Sequence, residues 1–376
     1  MKIAHISDLH LGKIVNGFSM ASEQEYILEK IVEILEGNSI KTLLVCGDVF
    51  DKNVPSIEGL RLYDKFTGEL YDRGIETYMI SGNHDSLERL TCGSKLMRNS
   101  KMFIGRSLAE NENKYIIEDE FGEINIYLLP FIKPANVRNA YEESVSEYSE
   151  AVEFAINKMN VNTESRNILL AHQFVTGATR SESEEIFVGG LDNVNAKVFD
   201  PFDYVALGHL HKSQYVERET IRYCGTPLKY SISEKNDRKS LTVIDVREKG
   251  NITIDTLPLT PKHDIYEIKG KYDELMSLDY YSTIDRDGYF YIVLTDEEYI
   301  MDAVGRMRTV YKNIMSLSYE NSRTRAENII DKAVVTETKL PQDYIEELFE
   351  AQNGSEMSDY QKEIIENIII ELEGSR

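Results

Sequence analysis

Five short motifs constrain this chain more than any other feature. They are Asp8-Leu9-His10, Gly47-Asp48, Gly82-Asn83-His84-Asp85, Ala171-His172 and Gly208-His209-Leu210-His211, and they hold five of the seven histidines. Each follows a segment that reads as a β-strand: residues 2–7, 42–46, 76–80, 167–171 and 203–207. Positions just past the carboxyl ends of strands are where α/β sheets build sites. Carboxylate, carboxamide oxygen and imidazole are the ligands of hard to borderline metal ions. Each motif alone has an ordinary explanation: a chance D-x-H, a helix-capping Asp, a turn Asn after Gly, a satisfied core histidine at His172. The five in series, each after a strand, do not. The two remaining histidines read otherwise, His5 as part of a buried strand and His263 as a linker residue.

The segments between the motifs give the fold class. Ser22 to Glu25 reads as a capping box opening a helix with Ile27, Ile31, Ile34 and Leu35 on its apolar stripe. Thr42 to Cys46 is wholly apolar, as a buried central strand is. A second helix over 57–71 carries Leu60, Tyr63, Phe66 and Leu70, and Glu76 to Ile80 forms the next strand. Strand and helix alternating in this way predict an α/β layered fold. A further strand reads at 124–129, and residues 241–246 and 252–257 alternate apolar with polar, as half-exposed antiparallel strands do. The whole predicts a two-sheet sandwich flanked by helices. Pro258 and Pro261 mark a boundary, beyond which strands near 264–271, 289–294 and 315–319 and a helix near 297–311 make a smaller α/β unit. After a polar stretch come two helical segments, the last with Tyr360, Ile364, Ile365, Ile368, Ile369 and Leu372 on one face.

The spacing suggests how ligands divide. Asp8 and His10 are two residues apart and can face one ion. Two ions about 3.5–4 Å apart need a bridging ligand, and Asp48, a lone strand-end carboxylate, suits that place. Asn83 and His172 belong with the second ion, and His209 and His211 divide between the two. His84 follows a ligand without being one, so it is the expected general acid or transition-state stabiliser. Asp85 is expected to accept a hydrogen bond from that imidazole, to cap the segment starting at Leu87, or both.

The chain of 376 residues carries 65 Asp and Glu against 42 Lys and Arg, a net charge of −23. Such acidity opposes approach to a polyanion, so a nucleic-acid substrate would need metal ions or a basic partner to supply positive charge. Three separate cysteines, with no C-x-x-C, argue against a disulfide framework or a zinc-thiolate site and for a reducing cytoplasm. No apolar run approaches membrane-spanning length, and polar residues arrive too early at the amino terminus for a signal peptide.

The five motifs together resemble the signature of the calcineurin-like metallophosphoesterases. The runs Ser81 to Ser86, Ala171 to Ala178, Ser181 to Glu185, Val188 to Gly190, Phe202 to His211 and Tyr223 to Glu234 are similar to the bacterial SbcD-type nucleases within that superfamily. That resemblance implies a four-layer α/β/β/α nuclease domain over 1–260, a small DNA-selecting α/β capping domain over 261–320, and a linker with C-terminal helices over 321–376. It implies two divalent ions, expected to be manganese. By motif, Asp8, His10, Asp48 and His211 resemble the ligands of one, and Asp48, Asn83, His172 and His209 those of the other. His84 resembles the catalytic histidine. It further implies a homodimer within a heterotetramer with an SbcC-like ATPase, whose coiled coil the apolar face of 360–372 would meet. The expected activity is ATP-dependent double-strand exonuclease and single-strand or hairpin endonuclease action on DNA in replication, recombination and repair. Asp51 stands where the archaeal and eukaryotic relatives carry a histidine, a difference typical of the bacterial branch. Lys13 and Asn16, in the loop after the first motif, are the candidate DNA contacts, and the helices at 57–71 and 87–98 the candidate dimer surface.

Overall fold

The computed structural model describes residues 1–110, 113–181 and 192–322, with a few positions between 345 and 365. Met1–Glu185 and Asn193–Asn321 form one compact unit. Within it, two six-stranded sheets carry the chain. In the first, β1 (Lys2–Ile6), β2 (Thr42–Cys46), β3 (Glu76–Ile80) and β4 (Met102–Ile104) run parallel in that order. In the second, β5 (Lys114–Asp119) pairs antiparallel with β6 (Gly122–Leu129), which runs parallel to β7 (Arg166–His172). Next to β7 lies β8 (Tyr204–Gly208), and the sheet closes with β9 (Gln214–Val216) and β10 (Arg218–Tyr223) in the order β5-β6-β7-β8-β10-β9. On the far side of β1, β11 (Ser240–Val246) and β12 (Ile252–Pro258) complete the first sheet in antiparallel pairing.

Apolar burial accounts for the layering. Ile3, Leu44, Tyr78, Ile126, Leu170 and Ala206 fill the space between the sheets. Helices α1 (Ala21–Gly37) and α2 (Ile57–Asp72) cover the outer face of the first sheet through Ile27, Ile31, Leu35, Leu62, Phe66 and Leu70. Helices α3 (Pro134–Tyr141) and α4 (Tyr148–Lys158) cover the second through Val137, Val152 and Ile156. The result is the four-layer α/β/β/α sandwich that the strand and helix pattern predicts.

Local details differ from the sequence reading. No side chain caps α1: its N-cap is Met20, Glu23 turns inward, and Glu25 pairs with Lys65 across the surface instead. On α2 the buried stripe runs through Leu62, Phe66 and Leu70, leaving Leu60 exposed. The expected helix at 87–98 is two short turns, Leu87–Leu90 and Ser94–Met97, and that near 297–311 is helical only over Ala303–Met307.

Three further parallel strands, β13 (Ile265–Gly270), β14 (Tyr289–Leu294) and β15 (Asn313–Tyr319), form a small sheet with its own core around Phe290, Ile292, Met307 and Tyr311. Its attachment to the sandwich is partly ionic. Buried Glu23 on α1 accepts from His263 Nδ1 at 2.6 Å, and Lys229 pairs with Asp264 at 2.9 Å. Phe290 is fully buried and its ring meets that of Tyr311 at 4.8 Å between centroids. Phe290→Ala should cost about 3–5 kcal/mol, read as a lower denaturant midpoint for the unfolding of this sheet.

Candidate metal centre

Five parallel strands end at one edge of the sandwich, and the loops that leave them carry the motifs. The loop after β1 crosses that after β2: Asp8 N–H donates to the Gly47 carbonyl at 3.0 Å and His10 N–H to the Asp48 carbonyl at 2.9 Å. Asp8, His10, Asp48 and His209 all take positive φ, which ordinary residues hold only when the surroundings compel it. Two glycines permit the crowding. A Cβ on Gly208 would sit 1.8 Å from the Cys46 carbonyl oxygen, and one on Gly82 would sit 2.1 Å from Asp48 Oδ1.

The side chains converge on Asp48. Its Oδ2 lies 3.4 Å from His172 Nε2, 3.8 Å from His10 Nε2 and 3.9 Å from His84 Nε2, while Oδ1 accepts the His84 backbone N–H at 2.9 Å. On one side His10 Nε2 and His211 Nε2 are 3.2 Å apart, and Asp8, His10 and His211 place one potential ligand atom each within 4.8 Å of one another. On the other, Asn83 Oδ1 lies 3.0 Å from both His172 Nε2 and His209 Nδ1. The structure thus brings together all seven residues expected to hold metal. Six of the seven are no more than 5% exposed, with Asn83 half-buried.

The donor set fits a divalent cation. His172 Nδ1 faces the Cys46 carbonyl at 2.8 Å, which leaves Nε2 to point at two oxygens. Burial opposes charge on this imidazole, but Asp48 beside it outweighs burial and lifts its pKa to about 9. Burial likewise pushes Asp48 up, yet His172 holds it well below the usual carboxylate range. Burial, reinforced by Asp48, raises Asp8 to about 6, and burial lowers His10 and His209 well below the ordinary imidazole value. Without an ion, then, a proton on His172 stands among converging oxygens and nitrogens, where a cation would replace it. His10 Nδ1 and His209 Nε2 are buried with no hydrogen-bond partner among the described residues.

His84 differs from the rest in being 21% exposed at the mouth of the cluster. Its Nδ1 faces the Asp51 carbonyl at 3.1 Å, which turns Nε2 toward the site. The expected partner Asp85 does neither thing the sequence suggests. Its buried carboxylate accepts the backbone N–H groups of Val49, Phe50 and Gly82 at 3.0, 2.8 and 2.9 Å, and Ser86 caps the following turn. Asp85 therefore pins the Asp48 and Asn83 loops to each other and does not touch the imidazole. Lys13 and Asn16, the candidate DNA contacts, both make contacts within the chain. Lys13 Nζ is tied to Asp51 Oδ1 at 2.8 Å, and Asn16 Nδ2 donates to Tyr291 Oη of the small sheet at 3.2 Å.

Several supporting residues escaped the sequence reading. Gln24 Nε2 donates to the His10 carbonyl at 2.7 Å and its Oε1 accepts from Gly12 N–H at 2.9 Å; Tyr230 Oη donates to the Leu9 carbonyl at 2.7 Å. A polar residue one turn before Ile27 and Leu28 on the buried face of α1 was the available signal for Gln24. Of the C-terminal residues singled out, Tyr360 is exposed at 72% and Ile364 at 39%, with Ile365 half-buried; Ile368, Ile369 and Leu372 lie outside the described residues. No helix among the described residues is long and apolar enough to cross a membrane.

Residues 1–213 match the family described as calcineurin-like phosphoesterase. The chain belongs to that family, a class of hydrolases that act on phosphate esters with divalent metal ions. Within it the chain stands with the SbcD subunits of SbcCD nucleases: it is 32% identical over 323 residues to the SbcD nuclease subunit of Staphylococcus epidermidis SbcCD, a match that spans 85% of each chain. Residues 261–353 match a second family, described as the type 5 capsule protein repressor C-terminal domain. Among solved structures, a Thermus thermophilus protein aligns at 14% identity and TM-score 0.41, covering 69% of this chain and 99% of its own. A dimetal phosphatase from Danio rerio aligns at 12% and 0.40, covering 69% and 98%.

Proposed function

We propose that this chain is a metal-dependent DNA nuclease that cuts phosphodiesters as the SbcD subunit of an SbcCD-type complex. The observation that carries the reading is the convergence of Asp8, His10, Asp48, Asn83, His172, His209 and His211 on one strand-end cluster, with His84, its most exposed imidazole, at the mouth beside His10 and Asp48. We assign Asp8, His10, Asp48 and His211 to one ion and Asp48, Asn83, His172 and His209 to the other, with manganese as the metal. Ions so held polarise a phosphate and lower the pKa of an attacking water. The protein's own share is geometric and protic. Asp48 faces both halves of the cluster, and the three backbone amides on Asp85 keep its loop in register with Asn83. His84, oriented by the Asp51 carbonyl, delivers a proton to the departing oxygen or stabilises charge on the phosphate.

The remaining assignments extend this reading. Residues 1–260 carry the chemistry, the sheet within 261–320 selects DNA, and 321–376 docks on an SbcC-like ATPase, with the complex built on a homodimer in the cytoplasm. The exposed Tyr360 and Ile364 support the docking face, and the net charge of −23 supports a partner that supplies basic DNA-binding surface.

The test is cutting of blunt duplex and hairpin DNA, with and without the SbcC-like partner, ATP, manganese or magnesium. Manganese-dependent cutting that requires partner and ATP is expected. Robust hydrolysis of a small phosphodiester with no cutting of DNA in any condition would refute the substrate. A chain lacking 341–376 should keep activity on the small ester and lose partner binding in a pull-down; unchanged affinity for the partner would refute the docking face.

A further inference from the structure

We propose that Glu234 is the positioning residue for His211, that Asp51 adds its negative charge behind His10, and that these two lysine-held carboxylates make the Asp8, His10 and His211 half of the cluster hold its ion more tightly than the Asn83, His172 and His209 half. The inference rests on the reading above that these side chains hold ions.

Glu234 ends a short turn, Ile232–Glu234, and is fully buried. Its Oε1 lies 3.5 Å from His211 Nδ1, and its Oε2 accepts from Lys239 Nζ at 2.5 Å. Lys239, itself buried, also donates to the His211 carbonyl at 2.9 Å and to Thr226 Oγ1 at 2.8 Å. His211 is therefore gripped at both ring and backbone. With Nδ1 committed to the carboxylate, Nε2 presents its lone pair to the site, where it lies 3.2 Å from His10 Nε2.

Behind His10 the backing is electrostatic only: its Nδ1 has no hydrogen-bond partner among the described residues but lies 3.8 Å from Asp51 Oδ1, and that oxygen takes Lys13 Nζ at 2.8 Å. In both cases the order is imidazole, carboxylate, lysine. A carboxylate hydrogen-bonded behind a metal-binding imidazole, as Glu234 is behind His211, fixes its tautomer and raises its basicity, whereas Asp51 adds negative charge alone. Buried Lys239 balances the charge of Glu234 where water cannot.

The other half of the cluster lacks this backing. His172 Nδ1 rests on a neutral backbone carbonyl, that of Cys46. His209 Nε2 has no hydrogen-bond partner among the described residues, and Asn83 brings no charge. In the assignment above the Asp8 carboxylate joins Asp48 in the first half, though it also comes within 4.8 Å of ligand atoms of Asp48 and His172. The outer carboxylates thus favour the first half.

The experiment is titration of the full chain with manganese(II), with free ion read by electron paramagnetic resonance. The wild-type protein should bind in two steps, the first at least tenfold tighter. A chain carrying both Glu234→Gln and Lys239→Met, which avoids stranding a buried lysine, should weaken the first step by about 10–100-fold and leave the second unchanged. Asp51→Asn, whose partner Lys13 reaches solvent, should weaken the same step in the same direction. Melting of the metal-free proteins is followed alongside, because a purely structural contribution moves the melting temperature and neither binding step. Wild-type affinities in these folded variants, or equal weakening of both steps, would overturn the proposal. A wild-type protein that binds no manganese would overturn the functional reading and this inference with it, and that result is separate because it needs no variant.

Discussion

Asp48→Ala should abolish the binding of both ions, not one, and lower phosphodiesterase activity by roughly a thousandfold or more, the rate equivalent of several kcal/mol of lost transition-state stabilisation. The expectation follows from distances. Asp48 Oδ2 is within 4 Å of His10 on one side and His172 on the other. The substitution also removes the acceptor of the His84 backbone N–H, so the one open imidazole loses its anchor at the same time. Metal content by atomic emission after gel filtration checks the first claim, and steady-state hydrolysis of a small phosphodiester checks the second. Two tightly bound ions in the purified variant would show that the halves of the cluster do not share Asp48.

The site was more legible than its supports, for a physical reason. A metal cluster needs particular residue types at strand ends, and those leave short motifs that survive without any knowledge of the fold. Asp8, His10, Asp48, Asn83, His172, His209 and His211 could all be read in this way. Support is different, because any residue with the right atom in the right place will do. The partner of the His84 ring is a backbone carbonyl, that of Asp51, and no side-chain pattern can announce it. Asp85 looked like an imidazole partner because it is adjacent in sequence, yet adjacent side chains in a tight turn point apart, and its carboxylate finds three amides instead. Glu234 is 23 residues from His211 by number and meets it only because the sheets close at that edge.

The fold shows the same division. Wholly apolar runs such as Thr42–Cys46, and the alternating Ser240–Val246, announce central and half-exposed strands, and both are found. The strands of the two large sheets that were missed, Met102–Ile104, Lys114–Asp119, Gln214–Val216 and Arg218–Tyr223, are sheet-edge or near-edge segments whose burial is irregular, so period alone could not mark them. Helices α3 and α4 open with Lys133 and Glu147 as N-caps, not with the usual Ser, Thr, Asp or Asn, which hid their starts.

His84→Gln should leave both ions bound and lower turnover by about 10²–10⁴-fold, the range for loss of a general acid–base group. Glutamine keeps a polar side chain of similar reach but cannot deliver a proton. The placement of His84 makes the separation of binding from turnover possible: it is the most exposed imidazole of the cluster, and its Nε2 stands 3.9 Å from Asp48 Oδ2 without joining the tight contacts that Asp48 makes with His172. The two duties open to it can be told apart by the leaving group. A proton donor matters most when the departing oxygen is strongly basic, as in DNA, and little when it is a weakly basic aryl oxide. A group that stabilises the phosphate matters equally for both. The loss should therefore be larger on an alkyl phosphodiester or DNA than on an aryl one, measured as kcat at saturating metal. Equal losses on the two substrates would assign His84 to the phosphate, and a fall in metal stoichiometry would make it a ligand and remove it from proton transfer altogether.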